Sequence, residues 1–286
     1  MKTNHLILLI LVATLMISCT KQPTPEPTTI ITESQLPAEQ TGPTSACQNI
    51  FYPLRQDNQW VYRMEFDDQP VDGEQADVAI SVAAVADNHA ELGVLSYATG
   101  VVSISDVQCA NGAILNFPFT ELNAVFGDLD GTIDVAYESG VFMPSEREFN
   151  DAGWNHKWTT QYRAEGQIEA RYEGEDLKAV FTDSPVRFDW EVVSTGGIMK
   201  VAAGDFDHVV HIRREAVIDV TSLQATVGGN QVKLGTTITM ITNMYYAPGV
   251  GMLRQDFESA AIRLFGISFP IQASGGMELV SYNLNE

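Results

Sequence analysis

The stretch from Thr236 to Glu258 constrains the fold of this chain most, because it consists of two alternating runs joined by a Pro-Gly turn. In an extended backbone, the isoleucine and methionines of the first run fall on one face, and its threonines and asparagine fall on the other. Pro248 and Gly249 suit the two central positions of a type II turn. The stretch therefore predicts an antiparallel hairpin with one buried face.

The same period of two continues through the rest of the chain. Trp60 and Tyr62 share a face with Met64 and Phe66, and Asn111-Gly112 is a strong hairpin signal. Further strands are predicted over residues 78–82, 101–108, 113–117, 157–163, 167–172, 178–182, 186–194, 206–220, 260–269 and 277–284. Helical periodicity is scarce and is best over residues 120–126. We therefore predict an all-β fold with minor α content, a curved antiparallel sheet that forms a half-barrel or a sandwich.

The first 18 residues predict an export signal, because one lysine precedes an apolar run that is too short for a comfortable membrane span. The sequence Leu15-Met16-Ile17-Ser18-Cys19 resembles the lipobox of bacterial lipoproteins. This resemblance implies cleavage before Cys19 and acylation of that residue with diacylglycerol and palmitate. An ordinary secretory signal or a membrane helix is the alternative.

Residues 19–46 predict a lipidated cysteine followed by a tether that is rich in Pro, Thr, Ser and Glu and lacks an apolar period. Its prolines keep such a segment extended. Residues 47–286 then form one β-rich globular domain. We expect the domain on the extracytoplasmic side of the cell membrane or outer membrane.

The balance of charge narrows the choice of partners. The chain has a formal net charge of −21, so it repels phosphate backbones and anionic headgroups. We therefore expect no nucleic-acid partner and contact with the membrane through the lipid anchor. The sequence leaves the oligomeric state open.

Cysteine usage agrees with an oxidising location. If Cys19 carries lipid, Cys47 and Cys109 remain as an even pair, and we predict a disulfide between them. A metal site is the competing idea, but two cysteines without nearby histidine ligands do not favour it.

The segments FYPLRQDNQWVY, GGIMKVAAGDFDHVVHI, YYAPGVGMLRQ and MELVSYNL resemble a loosely defined group of uncharacterised bacterial secreted and lipid-anchored β-proteins. Asp57 stands where that group often has glycine. The resemblance covers most of the domain and implies a curved antiparallel sheet, similar to the half-barrels of lipoprotein carriers. It implies no activity.

Candidate chemical sites are weak. His208 and His211 fall on opposite faces of a strand, which prevents joint metal binding. Asp128, Asp130 and Asp134 cluster as calcium ligands do, but their spacing lacks the full EF-hand set, and an acidic turn is the preferred interpretation. No nucleophile, zinc or phosphate-loop motif is present. We therefore expect no cofactor, no metal and no enzyme activity.

Three functions remain as hypotheses. The first is a tethered binding protein for a small apolar or amphipathic ligand, with Trp60 and Tyr62 as ligand contacts, although both rings would serve equally as core. The acidic exterior favours a neutral or cationic ligand. The second is a structural or adhesive envelope module, and the third is a hydrolase without a recognisable motif. An open concave face would favour the first hypothesis, and a filled one would favour the second.

Overall fold

The computed structural model describes residues 46–65, 77–97, 100, 102–117, 130–172, 175–220, 223–227, 230–264, 267–271 and 275–285. The predicted signal, Cys19, the tether up to residue 45, the predicted helix over 120–126 and Asp128 lie outside these ranges.

The described residues form fifteen strands and one short helix. The first seven strands are β1 (Gln59–Glu65), β2 (Asp77–Val85), β3 (His89–Ser96), β4 (Val102–Ala110), β5 (Ala113–Ile114), β6 (Asp130–Gly140) and β7 (Lys157–Tyr172), with α1 (Glu146–Asp151) between the last two. The next are β8 (Glu175–Val201), β9 (Gly204–Asp219), β10 (Leu223–Val227), β11 (Asn230–Leu234), β12 (Thr236–Ala247), β13 (Gly251–Leu264), β14 (Ile267–Ile271) and β15 (Gly276–Asn283).

All fifteen strands belong to one antiparallel sheet, so the predicted all-β antiparallel class is confirmed. Its longest path runs β11-β10-β8-β9-β12-β13-β15-β1-β2-β3-β4-β5. Strand β14 pairs with β13, and β6 joins through β7 to β8. The sheet is open, because strand pairing does not join its two ends.

Two strands are longer than the sequence pattern predicted. The runs 157–163 and 167–172 are one strand, β7, and the runs 178–182 and 186–194 both lie in β8. A register shift between Ala164 and Gly166 lets the β7–β8 pair continue, and Asp183 takes a positive φ of 50°. A bulge of this kind breaks the alternation of side chains without ending the strand. Conversely, the run predicted over 260–269 is divided between β13 and β14.

The hairpin around the Pro-Gly turn is confirmed. The Val250 amide donates to the Ala247 carbonyl over 3.1 Å, and Gly249 has the positive φ, 75°, that a type II turn needs. Gly251 follows with a φ of 128°, and a Cβ there would lie 3.0 Å from Trp60 Nε1. Glycine at this position therefore lets the returning strand pass close to a buried tryptophan.

One face of the sheet carries most of the buried side chains, and we call it the inner face. Residues opposite each other in neighbouring strands share a face. The register therefore places Trp158, Trp190, Arg214 and Thr242 in one row across β7, β8, β9 and β12. Other rows of the same face include Met244, Gln255, Met277, Leu279, Tyr62, Trp60 and Ile80.

Helix α1 was not predicted, although its start has a clear sequence signal. The Ser145 hydroxyl accepts from the Glu148 amide, and the Glu148 carboxylate accepts from the Ser145 amide. This reciprocal pair is a capping box. Six residues suffice here because Phe149 is buried against the inner face, so packing stabilises a helix that would be marginal alone.

Candidate functional site

Trp60 and Tyr62, the predicted ligand contacts, are fully buried members of the core. The Trp60 indole Nε1 donates to the Val250 carbonyl over 2.6 Å, and burial raises the pKa of Tyr62 well above its ordinary value. Both rings point to the inner face as expected. In this conformation they contact the chain itself, and their binding of a ligand stays a prediction.

The inner face is covered at this point by two segments, residues 46–55 and 141–156, which we call the plug. Phe51 and Tyr52 from the first segment pack on Tyr246 of β12, with ring centroids 5.6 and 5.7 Å apart. From the second segment, Phe142 lies edge-on to Trp190 at 5.2 Å, and Phe149 packs similarly on Trp158 at 5.6 Å. Aromatic rings therefore occupy the space that a ligand would need.

Hydrogen bonds hold the plug against the sheet. The Trp158 indole donates to the Phe142 carbonyl over 3.1 Å, and the Thr160 hydroxyl donates to the Val141 carbonyl. On the other segment, the Ile50 carbonyl accepts from the Gly249 amide over 2.7 Å. Because the donors include inner-face side chains and the hairpin turn, the plug is specified by direction as well as by apolar burial.

Asn49 and a disulfide fix the start of the plug. The buried Asn49 amide donates to the carbonyls of Gly112 and Pro144 over 2.8 and 2.9 Å, and its oxygen accepts from the Phe51 amide. Cys47 and Cys109 are bonded, with Cα atoms 4.9 Å apart, so the predicted disulfide is confirmed. One buried side chain and one covalent bond thus join the plug to the β4–β5 hairpin.

Arg214 is the most unusual residue of the inner face, since its exposed fraction is only 2%. Its guanidinium carbon lies 5.1 Å from the Phe188 ring centroid and 5.3 Å from that of Trp190. The Arg214 Nη2 donates to the Thr242 hydroxyl over 3.3 Å. A guanidinium between two rings gains cation–π attraction in a place where water is absent. The arrangement provides a positive centre within an apolar surface.

The sequence analysis did not single out Arg214, although a signal was present. Residues 210, 212, 216 and 218 of β9 are buried apolar residues with a period of two, and Arg214 occupies the same register. A charged residue inside an apolar alternation has few structural explanations apart from a buried polar site. The pattern itself therefore marked the position.

The opposite face of the sheet carries a ladder of ion pairs. Lys157 Nζ lies 2.6 Å from Glu191 Oε2, and Arg213 Nη1 lies 3.7 Å from Glu191 Oε1. The Arg213 Nε then lies 3.5 Å from Glu258 Oε2. This ladder crosses four adjacent strands, β7, β8, β9 and β13 by way of β12. Exposed pairs of this kind contribute little stability, and they fix the pattern of charge on this face.

His211 lies beside the ladder and is partly buried. Its ring stacks on the Tyr245 ring at 4.6 Å, and its Nε2 lies 2.8 Å from Asn243 Oδ1. Burial lowers the pKa of His211, against smaller opposing effects of Asn243, Glu258 and Asp256. The folded chain therefore binds a proton at His211 less readily than the unfolded chain does.

This difference predicts how stability depends on pH. Above the ordinary histidine pKa of about 6.5 both states are neutral at His211, and below it the unfolded state takes up the proton first. We expect the wild type to lose about 1 to 2 °C more in Tm between pH 7.5 and 5.5 than His211→Gln does. Thermal unfolding at both pH values measures this. His89→Gln, at an exposed position, is the control and should match the wild type, and equal curves for all three proteins would contradict the prediction.

The remaining candidate residues do not converge. His208 Nε2 lies 3.8 Å from the Asp207 carboxylate, apart from His211 on the strand. Asp134 is exposed on β6, while Asp128 and the side chain of Asp130 lie outside the described residues, so calcium binding is not tested. In the described ranges, no group of three His, Cys, Asp or Glu could hold a metal ion. The described part of the chain also contains no helix with the length and apolarity to cross a membrane.

Comparison with known proteins finds two distant likenesses of fold. No protein-family model matches the chain, and no curated protein matches its sequence. A solved structure from Bacteroides fragilis, described as a presumed exported protein with a YmcC-like fold, shares 10% identity over 82% of this chain and 100% of its own, with a TM-score of 0.45. A presumed lipoprotein from Parabacteroides distasonis shares 15% identity over 82% and 99%, with a TM-score of 0.42. At these identities a likeness concerns the fold alone.

Proposed function

We propose that this chain is a lipid-anchored, extracytoplasmic envelope module that acts through its outer surface and carries no resident ligand at the aromatic part of its inner face. The observation that carries the proposal is the packing of Phe51, Tyr52, Phe142 and Phe149 onto the rings of that face. An apolar ligand would have to displace these rings. Displacing them would return to water several buried aromatic side chains, each of which buries roughly 150 to 250 Å².

The sequence supports the location, and the domain supports it independently. Cys19 follows directly on the apolar run, and 27 residues of Pro- and Thr-rich chain separate it from Cys47. The buried disulfide suits an oxidising compartment. The surface is acidic, with a sequence pI of about 4.4, so contact with an anionic membrane surface is left to the anchor rather than to the domain.

The anchor gives the first test. Cys19→Ala should leave the protein unlipidated, either uncleaved or released as a soluble species, because the acylated thiol is missing. Membrane fractionation and the intact mass of the mature amino terminus measure this. Ser18→Ala, which keeps a small residue before the cysteine, is the control and should remain in the membrane fraction. Unchanged fractionation and mass for Cys19→Ala would remove the lipoprotein hypothesis.

The filled inner face gives the second test. We expect the purified wild type to be free of bound small molecules by native mass spectrometry, and to show no thermal shift with a panel of lipids and aromatic compounds. Phe142→Ala removes a ring from between Trp190 and Phe117, and the cavity should bind benzene, as dry apolar cavities do. That variant shows that the assay can detect binding. A ligand retained by the wild type would overturn the proposal.

A ligand at Arg214 is the second candidate function. Binding sites are mostly apolar with a few placed polar groups, and Arg214 with Thr242 forms such a group on the inner face. Because the buried centre is cationic, the ligand would be amphipathic with an acidic head, in contrast to the neutral or cationic ligand that the net charge favoured. A co-purifying acid that is retained by Arg213→Met, on the outer face, and lost by Arg214→Met would support this candidate.

A further inference from the structure

The strand β4 lies at one end of the sheet and leaves part of its length open. Its neighbour β5 is two residues long and pairs only with Cys109 and Ala110. Next along β4, the Asn116 side chain completes the edge, because its oxygen accepts from the Gln108 amide over 2.6 Å and its nitrogen donates to the Asp106 carbonyl over 3.0 Å. Among the described residues, nothing pairs with β4 beyond that point.

The alternation of the strand tells which backbone groups are open. The Cys109 amide donates toward the β3 side, to the Asn88 carbonyl, whereas the Gln108 amide and the Asp106 carbonyl face the free edge. Successive residues of an antiparallel strand direct their amides and carbonyls to opposite sides. The amides and carbonyls of Val102 and Ile104 therefore point outward from the sheet.

This open edge is apolar and uncharged. Val102 and Ile104 are 61% and 69% exposed, and residues 102–105 read Val-Ser-Ile-Ser, without a charge or a proline. Natural edge strands are commonly guarded against pairing by lysine, inward charges, proline or bulges. In a chain of net charge −21, a neutral apolar edge is a site that accepts another strand.

We propose that β4 pairs antiparallel with β4 of a second copy of this chain, about a two-fold axis at Ser103. In this register Val102 of each copy lies opposite Ile104 of the other, and about four backbone hydrogen bonds form. All four exposed apolar side chains then meet on one face. The stretch is self-complementary, as a two-fold interface requires. This proposal goes beyond the proposed function and does not depend on the lipid anchor.

Charge and area set the strength of the contact. Three residues from each copy bury far less than the roughly 800 Å² per partner of a stable interface, so the dimer is weak in solution. Two chains of the same negative charge repel each other, and salt screens that repulsion. Pairing with a second copy therefore strengthens with salt. Pairing with a basic foreign strand would weaken with salt, and this separates the two kinds of partner.

Cross-linking tests the register. In the full chain with Cys19→Ser, Ser103→Cys places two thiols at a non-hydrogen-bonded pair about 4.5 Å apart between Cα atoms, within the disulfide range. Ser105→Cys is the matched control, because its two copies would lie about 13 Å apart. At about 100 μM protein, the Ser103→Cys dimer should form at least about tenfold faster than the Ser105→Cys dimer, and faster in about 0.5 M than in about 0.05 M salt.

A second pair of variants tests the apolar contact. Ile104→Lys added to Ser103→Cys should remove the tenfold advantage, because it puts two ammonium groups into the joint edge. Ile198→Lys, at an 81% exposed position outside β4, should leave the advantage intact. Equal rates for Ser103→Cys and Ser105→Cys would overturn the proposal. A fast rate that falls with salt would also overturn it, in favour of a basic partner strand.

Discussion

Replacing both Cys47 and Cys109 with alanine should lower the free energy of unfolding by about 4 kcal/mol. The bridge joins residues 62 apart in sequence, and closing a loop of that length removes chain entropy from the unfolded state by this amount at room temperature. Both cysteines are also buried. Alanine is preferred over serine in this experiment because it leaves no hydroxyl group buried without a partner.

Urea unfolding of the oxidised wild type and the double variant measures the loss. The single variant Cys19→Ser should be indistinguishable from the wild type and serves as the control for removing a thiol. Unfolding of the wild type under reducing conditions should agree with the double variant to within about 1 kcal/mol. A loss below about 1 kcal/mol would show that the non-covalent contacts of the plug suffice.

The plug is where this loss should be felt first. Its first segment is held by Cys47, by the Asn49 bonds to Gly112 and Pro144, and by Phe51. Without the bridge, local opening of residues 46–55 requires only these non-covalent contacts to break. Amide hydrogen exchange should therefore increase at those residues by more than it does in β9, in the middle of the sheet.

Much of the sheet could be predicted because strands have a strict local pattern. The alternation from Asn58 to Phe66 and the Pro-Gly turn at 248–249 indicate strand faces and a hairpin from a few residues each. The pairing of β15 with β1 was not predictable in this way. It joins Gln59 to Asn283, and a local pattern carries no information on which distant strands meet.

The candidate site was harder to predict for a related reason. The sequence placed Trp60 and Tyr62 correctly on an aromatic face, but alternation alone does not tell a filled face from an open one. The filling comes from Phe142 and Phe149 in a segment without a strand pattern, which the capping box at Ser145 marks as a helix start. Arg214 likewise becomes significant only when β8 and β12 bring rings and a hydroxyl beside it.

Trp190→Ala should cost about 4 kcal/mol, the other large effect, because this ring is the point where the plug, the sheet and Arg214 meet. Trp190 is buried, lies edge-on to Phe142 at 5.2 Å and stacks with Trp158 at 5.9 Å. Its indole donates to the Thr160 hydroxyl over 3.1 Å. Truncation leaves a cavity, removes those ring contacts and uncovers one side of the buried guanidinium.

Trp154→Ala is the matched control, since it makes the same chemical change in a partly exposed ring that stacks on Phe149 at 5.0 Å. It should cost about 1 to 2 kcal/mol. Trp190→Phe, which restores a ring without the indole donor, should recover roughly half of the loss. Urea unfolding of the three variants gives the comparison. Similar losses for Trp154→Ala and Trp190→Ala would mean that the stability of the plug does not depend on its contact with the inner face, and the filled face would then lose its role in holding the fold.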